Sequence, residues 1–390
     1  MTPKIFEVDI NPYILKWARE SVGIKKEAVS NKIKKPIEFL NDLETGKSKP
    51  TLGVLRELSK YYKRPLAVFF LSEIPKEPPI PEDFRTLPDI DSAPLSKKTY
   101  LAIRKARRLS SIAYELVDEI GLGIKLETNN INLNDNPEEI AIIERKRFNV
   151  NIHEQINWND ENVAFKNWRD VLSKFNILVF QFQIPLEELR GFSIFGKGLP
   201  VIGLSSYDWI GARIFTIFHE YAHFLLGEEG ICIPSEEILK EGKSNKEKIE
   251  SFCNNFSEAF LVPKSFLLND EAIRKLKSNS NMLSNSIIQL SRKYKVSRYV
   301  ILYRLLHLEI ISRNQFNRNI DRLFSEERKE IKRGYDRIVA RKPLTKYGSF
   351  FTSLILESKN KGLITLSDSL DYLSIKLKHI EKLESLIFGF

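Results

Sequence analysis

Only two cysteines and five histidines occur in 390 residues, and no apolar run reaches the ~18 residues that a membrane-spanning helix needs. So few cysteines exclude a disulfide-stapled scaffold, and Cys232 and Cys253 are expected to be small buried groups or thiols rather than a bridge. The first ten residues carry charge where a secretory signal would be apolar, so the chain is expected to be cytoplasmic, with no membrane partner. What is present suits a folded, multidomain protein. The composition is 42% hydrophobic, and the length allows about two to four units. Net charge is +10, and residues 1–72 hold 14 Lys and Arg against 8 Asp and Glu, so this short part supplies +6 of it. An anionic partner such as nucleic acid is therefore sought there first.

Hydrophobic spacing predicts a mainly α protein with an α+β core. Short helices are expected over 12–22, 25–32, 36–46 and 51–62, with Asn11-Pro12 opening the first, Gly46 stopping the third and Thr51 capping the fourth. Several short helices with tight turns suit a helix-turn-helix bundle, for which Lys34, Lys35, Lys47 and Lys49 are candidate DNA contacts. Glu38, Asp42 and Glu44 on the would-be reading helix are expected to oppose phosphates. Pro75, Pro78, Pro79, Pro81, Pro88 and Pro94 then mark an extended connector, in which Asp83-Phe84-Arg85 is expected to dock on a neighbouring domain. A helix over 97–120 carries Arg104, Lys105, Arg107 and Arg108, read as a solvated face. Another helix covers 162–175. Strands are expected at 177–184, 191–195 and 199–205, the last two joined by a Gly196-Lys197-Gly198 turn, giving a small antiparallel sheet. As an edge strand, 201–204 would hold an extended peptide by strand addition; as an inner strand it would be core. The expected division is 1–72, a connector at 73–95, a central domain at 96–265, a helical segment at 266–325 and a helical C-terminal region at 326–390.

The chemistry is concentrated at His219-Glu220-Tyr221-Ala222-His223. Residues i and i+4 share one helix face, so two imidazoles can grip one zinc ion while Glu220, about 100° round the helix, reaches its water. A catalytic zinc site needs a third protein ligand, and Glu228, Glu229, Glu247, Glu250 and Glu258 are within sequence reach. On an expected helix over 249–261, Phe252, Phe256 and Phe260 mark one packed face, while Glu250, Cys253, Asn254 and Ser257 share another. Glu250, flanked by small and polar side chains, is the favoured ligand. His153, His307 and His379 are read as packing or surface residues.

Two stretches resemble known families. Leu43-Glu44-Thr45-Gly46-Lys47-Ser48-Lys49-Pro50-Thr51, followed by Leu55, Leu58, Tyr62, Pro65 and Phe69-Phe70-Leu71, is similar to the later part of a phage-repressor-type (XRE-like) helix-turn-helix domain, although Ile33-Lys34-Lys35-Pro36 lacks the usual glycine in the turn. The run 215–227 around the paired histidines, preceded by Pro200-Val201-Ile202-Gly203-Leu204, resembles the ImmA/IrrE family of zinc metallopeptidases. So does Glu250-Ser251-Phe252-Cys253-Asn254-Asn255-Phe256 running on to Leu261-Val262-Pro263, with Cys253 where that family usually has alanine. The resemblance implies that His219, His223 and Glu250 bind Zn2+ and that Glu220 is the catalytic base.

A second helix-turn-helix layout is expected over 286–312, with Ser297 as N-cap and Arg298, Tyr299, Tyr303 and Arg304 as a reading face. Together these features imply a zinc endopeptidase joined to a DNA-binding module. Its expected partners are a protein substrate, namely a helix-turn-helix repressor, DNA, and a second copy of the chain. The alternative is a DNA-binding regulator, or an antitoxin or phage-defence component, whose metal domain senses or scaffolds.

Overall fold

The structure is a computed structural model that describes residues 6–77, 95–124, 131–196, 198–227, 231–232, 245–279, 282–320 and 339–389. Most of the Pro-rich connector, with Asp83-Phe84-Arg85, lies outside the described residues, as do Glu228, Glu229 and the side chain of Cys232. The chain divides into two compact units, Met1–Arg104 and Lys105–Phe390. No helix among the described residues is long and apolar enough to cross a membrane.

The first unit is built from α1 (Pro12–Glu20), α2 (Lys26–Ile33), α3 (Ile37–Thr45), α4 (Leu52–Tyr62) and a 3-10 turn at Leu66–Phe70. Local chemistry sets the ends. Asn11 accepts the Tyr13 amide ahead of Pro12, and Thr51 accepts the Val54 amide, each satisfying a helix-start donor that has no partner within its helix. Ile14, Leu15, Ala18, Val29, Leu40, Leu43, Leu55, Leu58, Tyr62 and Phe69 close one core. The turn between α2 and α3 works without glycine because Lys34 itself adopts the left-handed conformation, at φ 53°. Glu44 departs from the sequence expectation. It is 4% exposed and faces inward, taking two hydrogen bonds from Arg19 at 2.6 and 2.9 Å. The acidic character of α3 towards solvent is thus confined to Glu38 and Asp42.

In the second unit, α6 (Pro137–Arg147), α7 (Ile152–Asn157) and α8 (Glu161–Ser173) precede β1 (Leu178–Phe182), β2 (Gly191–Ile194), β3 (Val201–Ser205) and α9 (Ile210–Leu226). A two-residue strand β4 (Ile231–Cys232) follows, then α10 (Asn245–Leu261), α11 (Lys264–Leu268), α12 (Glu271–Ser278), α13 (Leu283–Tyr294) and α14 (Arg298–His307). The helix between the described ends Lys97 and Ile120 is α5, and C-terminal helices span Lys342–Asn360, Leu366–Leu373 and Ile380–Phe388.

The sheet has the order β1-β3-β2-β4 and is mixed rather than antiparallel. The chain leaves β1, steps one place too far to form β2, and returns by the expected hairpin to lay β3 between them. β3 therefore runs parallel to β1 and antiparallel to β2. Of the two readings of 201–204, the core strand is the one found: β3 is hydrogen-bonded on both sides, so it cannot accept an added strand.

One sheet face packs on α9, and the other, through Phe180, meets Tyr347 and Phe351 of the Lys342–Asn360 helix at ring distances of 5.4 and 5.1 Å. On the α9 side, Phe218 stacks on Phe260 of α10 at 4.1 Å and meets Trp168 of α8 edge-on at 4.9 Å. Gly211 lets α9 begin against the α13–α14 turn: a Cβ there would stand 2.7 Å from the Ser297 amide nitrogen. The fold thus clamps α9 between a sheet and two helices before any chemistry is considered.

Candidate functional site

Helix α9 is apolar around most of its circumference, with Ile214, Ile217, Phe218, Tyr221, Ala222 and Leu225 all buried, as expected of a central helix. Gly227 ends it in the left-handed conformation at φ 73°. The four-residue spacing of His219 and His223 turns both rings to α10, where Glu250 waits on the first half of that helix. His219 Nε2 and His223 Nε2 are 3.2 Å apart. The Glu250 carboxylate straddles them, with Oε2 3.2 Å from His219 and Oε1 3.4 Å from His223.

These separations can be compared with what a metal requires. Four ligands placed tetrahedrally at the ~2.0–2.1 Å typical of zinc stand about 3.3–3.4 Å from each other. The two imidazole nitrogens stand 3.2 Å apart and each has one oxygen of the Glu250 carboxylate at 3.2–3.4 Å, and their chemistry, two imidazoles and a carboxylate, is that of a zinc site with one position left open. His219 is oriented for it. Its Nδ1 lies 2.9 Å from Asn254 Oδ1, an acceptor, so the ring proton belongs on Nδ1 and the Nε2 lone pair faces Glu250 and His223. Asn254 is one turn beyond Glu250, so a single face of α10 supplies a donor and the group that orients another.

Glu220 points the other way round α9, to β2. It is fully buried, and the Ser193 hydroxyl of β2 donates to its carboxylate. Gly191 makes this close approach of strand to helix feasible: a Cβ there would collide with Thr216 Cγ2 at 2.4 Å and stand 3.5 Å from Glu220 Oε1. Burial pushes the Glu220 carboxyl up, and the nearby charges of His223 and His219 partly oppose this. Burial would also raise Glu250, but hydrogen bonds and charge from His219 and His223 hold it well below the usual carboxylate range. Burial depresses His219, and the bond to Glu250 more than restores it.

Neighbouring polar groups are engaged elsewhere. Tyr221 is buried and donates to Glu144 Oε2 on α6 at 2.5 Å. Arg213 bonds to Gln181 on β1 and lies over Phe165 at 5.3 Å. Neither is aimed at the histidines. Glu258 is buried and bonded to His307 Nδ1 at 2.8 Å, so it is not a ligand, and His307, exposed at the surface, is its partner. Cys253 is fully buried. Ser193 went unrecognised in the sequence because its link to Glu220 is made only when β2 lies across α9; nothing in local spacing announces it.

The two basic segments separate clearly. Lys34, Lys35, Lys47 and Lys49 are all exposed, the first two in the α2–α3 turn and the last two just after α3. Arg304, by contrast, is 3% exposed; its Nε donates to the Val262 carbonyl at 3.0 Å and its Nη1 pairs with Glu138 at 2.5 Å. Tyr303 is buried too, and Arg298 is half-buried. The expected reading face of α14 is therefore a packing face, because Val300, Ile301, Leu302 and Leu305 bury most of the helix in the same core as α9 and α10. Replacing Arg304 with alanine is expected to cost about 1–3 kcal/mol of stability with no change in DNA retention by the folded protein. Reduced retention at unchanged stability would restore Arg304 as a contact.

Residues 172–306 match a family model described as the IrrE N-terminal-like domain, a peptidase family, and residues 15–69 match one described as helix-turn-helix. The first match takes in α13 and α14, in keeping with their burial against α9. No curated protein and no solved structure matches the chain.

Proposed function

Because the chain joins an XRE-like helix-turn-helix domain to an ImmA/IrrE-like peptidase domain, we propose that it is a zinc-dependent endopeptidase whose substrate is a helix-turn-helix repressor. The observation that carries this reading is the cluster of His219, His223 and Glu250, whose imidazole nitrogens lie 3.2 Å apart and 3.2 and 3.4 Å from the two Glu250 carboxylate oxygens, spacings that suit a tetrahedral zinc ion. In this assignment His219 Nε2, His223 Nε2 and a Glu250 oxygen hold the metal. When bound, zinc supplies Lewis acidity, polarising a carbonyl and making water a nucleophile near neutral pH. Asn254 keeps the His219 proton on Nδ1. Glu220, raised by burial, takes a proton on its carboxylate and returns it to the leaving amine. Ser193 holds that carboxylate on the β2 side of the helix.

Asn254→Ala is expected to weaken zinc binding about 10–100-fold without unfolding the protein. A competition titration against a chelator measures this. Unchanged affinity would mean that the packing of α10 on α9 alone orients His219.

The exposed Lys34, Lys35, Lys47 and Lys49 around α3 favour DNA binding by the N-terminal unit. The full burial of Glu220 favours a second reading, in which the metal domain senses or scaffolds and the helix-turn-helix module does the regulating. The two are told apart by metal analysis and by incubating the zinc-loaded protein with a helix-turn-helix repressor. One zinc per chain together with cleavage that a chelator abolishes and zinc restores supports the peptidase. One zinc per chain with an intact repressor supports the second reading.

A further inference from the structure

The sheet face turned away from α9 carries a feature that peptide cleavage does not use. Lys346, near the start of the Lys342–Asn360 helix, places its Nζ 5.0 Å from the Tyr347 ring centroid and 5.6 Å from that of Phe182 on β1. Lys105 of α5 arrives from a distant part of the sequence and sets its Nζ 5.4 Å from the same Tyr347 ring. Lys105 also donates to Ser374 Oγ, which lies 2.8 Å from the Tyr347 hydroxyl. Two ammonium groups and the Ser374 hydroxyl thus surround one tyrosine.

Among the described residues no carboxylate is paired with either ammonium group. The carboxylate whose charge reaches Lys105 is Asp371, and it is already paired with Arg108 at 2.8 Å. Among the described residues, Lys346 has only aromatic neighbours as charge partners. Two ammonium groups brought together on half-buried ground repel each other and lose hydration, and aromatic faces return only part of that cost. Burial accordingly brings Lys105 down to about 8, with the Lys346 charge as the second cause, and lowers Lys346 as well. An anion carrying up to two charges would remove the repulsion, and the hydroxyls of Ser374 and Tyr347 would complete its hydrogen bonds.

We propose that Lys105, Lys346 and Ser374 form a binding site for a small phosphorylated anion, separate from the histidine pair. Phosphate chemistry fits best because its compact, doubly charged oxygens match two point-charge donors, which lysine supplies better than a forked arginine. The site lies across the sheet from Glu220, so its ligand is an effector and not the cleaved peptide. It also adjoins a route to α9. Thr345, next to Lys346, accepts at its carbonyl from Gln181 at 2.5 Å and Arg169 at 2.9 Å, and Gln181 in turn accepts from Arg213 of α9.

The test uses the full chain, loaded with zinc, at constant ionic strength set by chloride. Inorganic phosphate and adenosine 5′-monophosphate are titrated separately by calorimetry, and each of Lys105→Gln and Lys346→Gln is expected to weaken binding at least tenfold. Binding of phosphate identifies the free anion as sufficient; binding of the nucleotide alone identifies a phosphomonoester. Failure of both to bind, or binding that neither substitution weakens, overturns the proposal. Should a variant not fold, the unmodified protein still decides. Phosphate or the nucleotide should slow acylation of Lys105 and Lys346 by an amine reagent relative to exposed Lys174, and equal rates with and without both anions would overturn the site. No readout depends on proteolysis, so failure here and failure of the peptidase reading remain distinct.

Discussion

Replacing Glu250 with alanine is expected to strip the metal from the protein and reduce repressor cleavage to background. Glu250 is one of three clustered donors, and the two imidazoles left behind offer zinc only half of a tetrahedral shell. The loss of affinity should therefore exceed the roughly 10–100-fold attached to an orienting partner such as Asn254. The fold should survive, because Glu250 is the least buried member of the trio, with a side chain 33% exposed, while Phe252, Phe256 and Phe260 hold α10 in place. Metal analysis after dialysis, alongside a thermal melt, checks both halves. A variant that keeps one zinc per chain would move the third ligand elsewhere.

The second large effect is expected far from the metal. Glu44→Ala should destabilise the N-terminal unit by about 3–5 kcal/mol, because it leaves the Arg19 guanidinium charged, buried and without its two-pronged partner. Arg19 would keep its bond to the Ile24 carbonyl at 3.1 Å and its pairing with the exposed Glu20 at 3.2 Å, too little to compensate a charge that is 7% exposed. A total of about 5–15 kcal/mol is usual for a whole domain, so a loss of this size unfolds a sizeable fraction of the unit at physiological temperature. Hydrogen exchange across α1–α4 in the full chain reads this directly. The double substitution Arg19→Met with Glu44→Leu should recover most of the stability, since the partners it leaves behind, Glu20 and Lys26, are both open to solvent. If Glu44→Ala exchanged like the wild type, the pair would be incidental to the fold.

How far the sequence could be read depends on the range of the interaction involved. His219, Glu220 and His223 were legible because a helix fixes i and i+4 on one face whatever surrounds it. Glu250 was legible from its neighbours on α10 and from family resemblance, and Asn254 follows from the same helical spacing once Glu250 is accepted. Ser193, Gly191 and the inner position of β3 were not legible, because each depends on how a strand is threaded through the sheet and laid on α9. The same limit explains the errors over charge. Arg304 and Glu44 look like surface residues in a linear reading, yet each is buried by a partner from another helix, Glu138 for one and Arg19 for the other. Lysines 105 and 346 show the converse. A basic run on α5 reads as a solvated face, and only the packing of the C-terminal helices gathers one of its members with a second ammonium group.

Cleavage by zinc-loaded Glu220→Gln tests the central claim most directly. Glutamine keeps the shape of the side chain and can still meet the Ser193 hydroxyl, but it cannot take up a proton. The account predicts unchanged zinc content, an unchanged melt and repressor cleavage slowed by about 10²–10⁴-fold, the range for loss of a positioned acid–base group. Cleavage at the wild-type rate by a variant carrying one zinc per chain would contradict it.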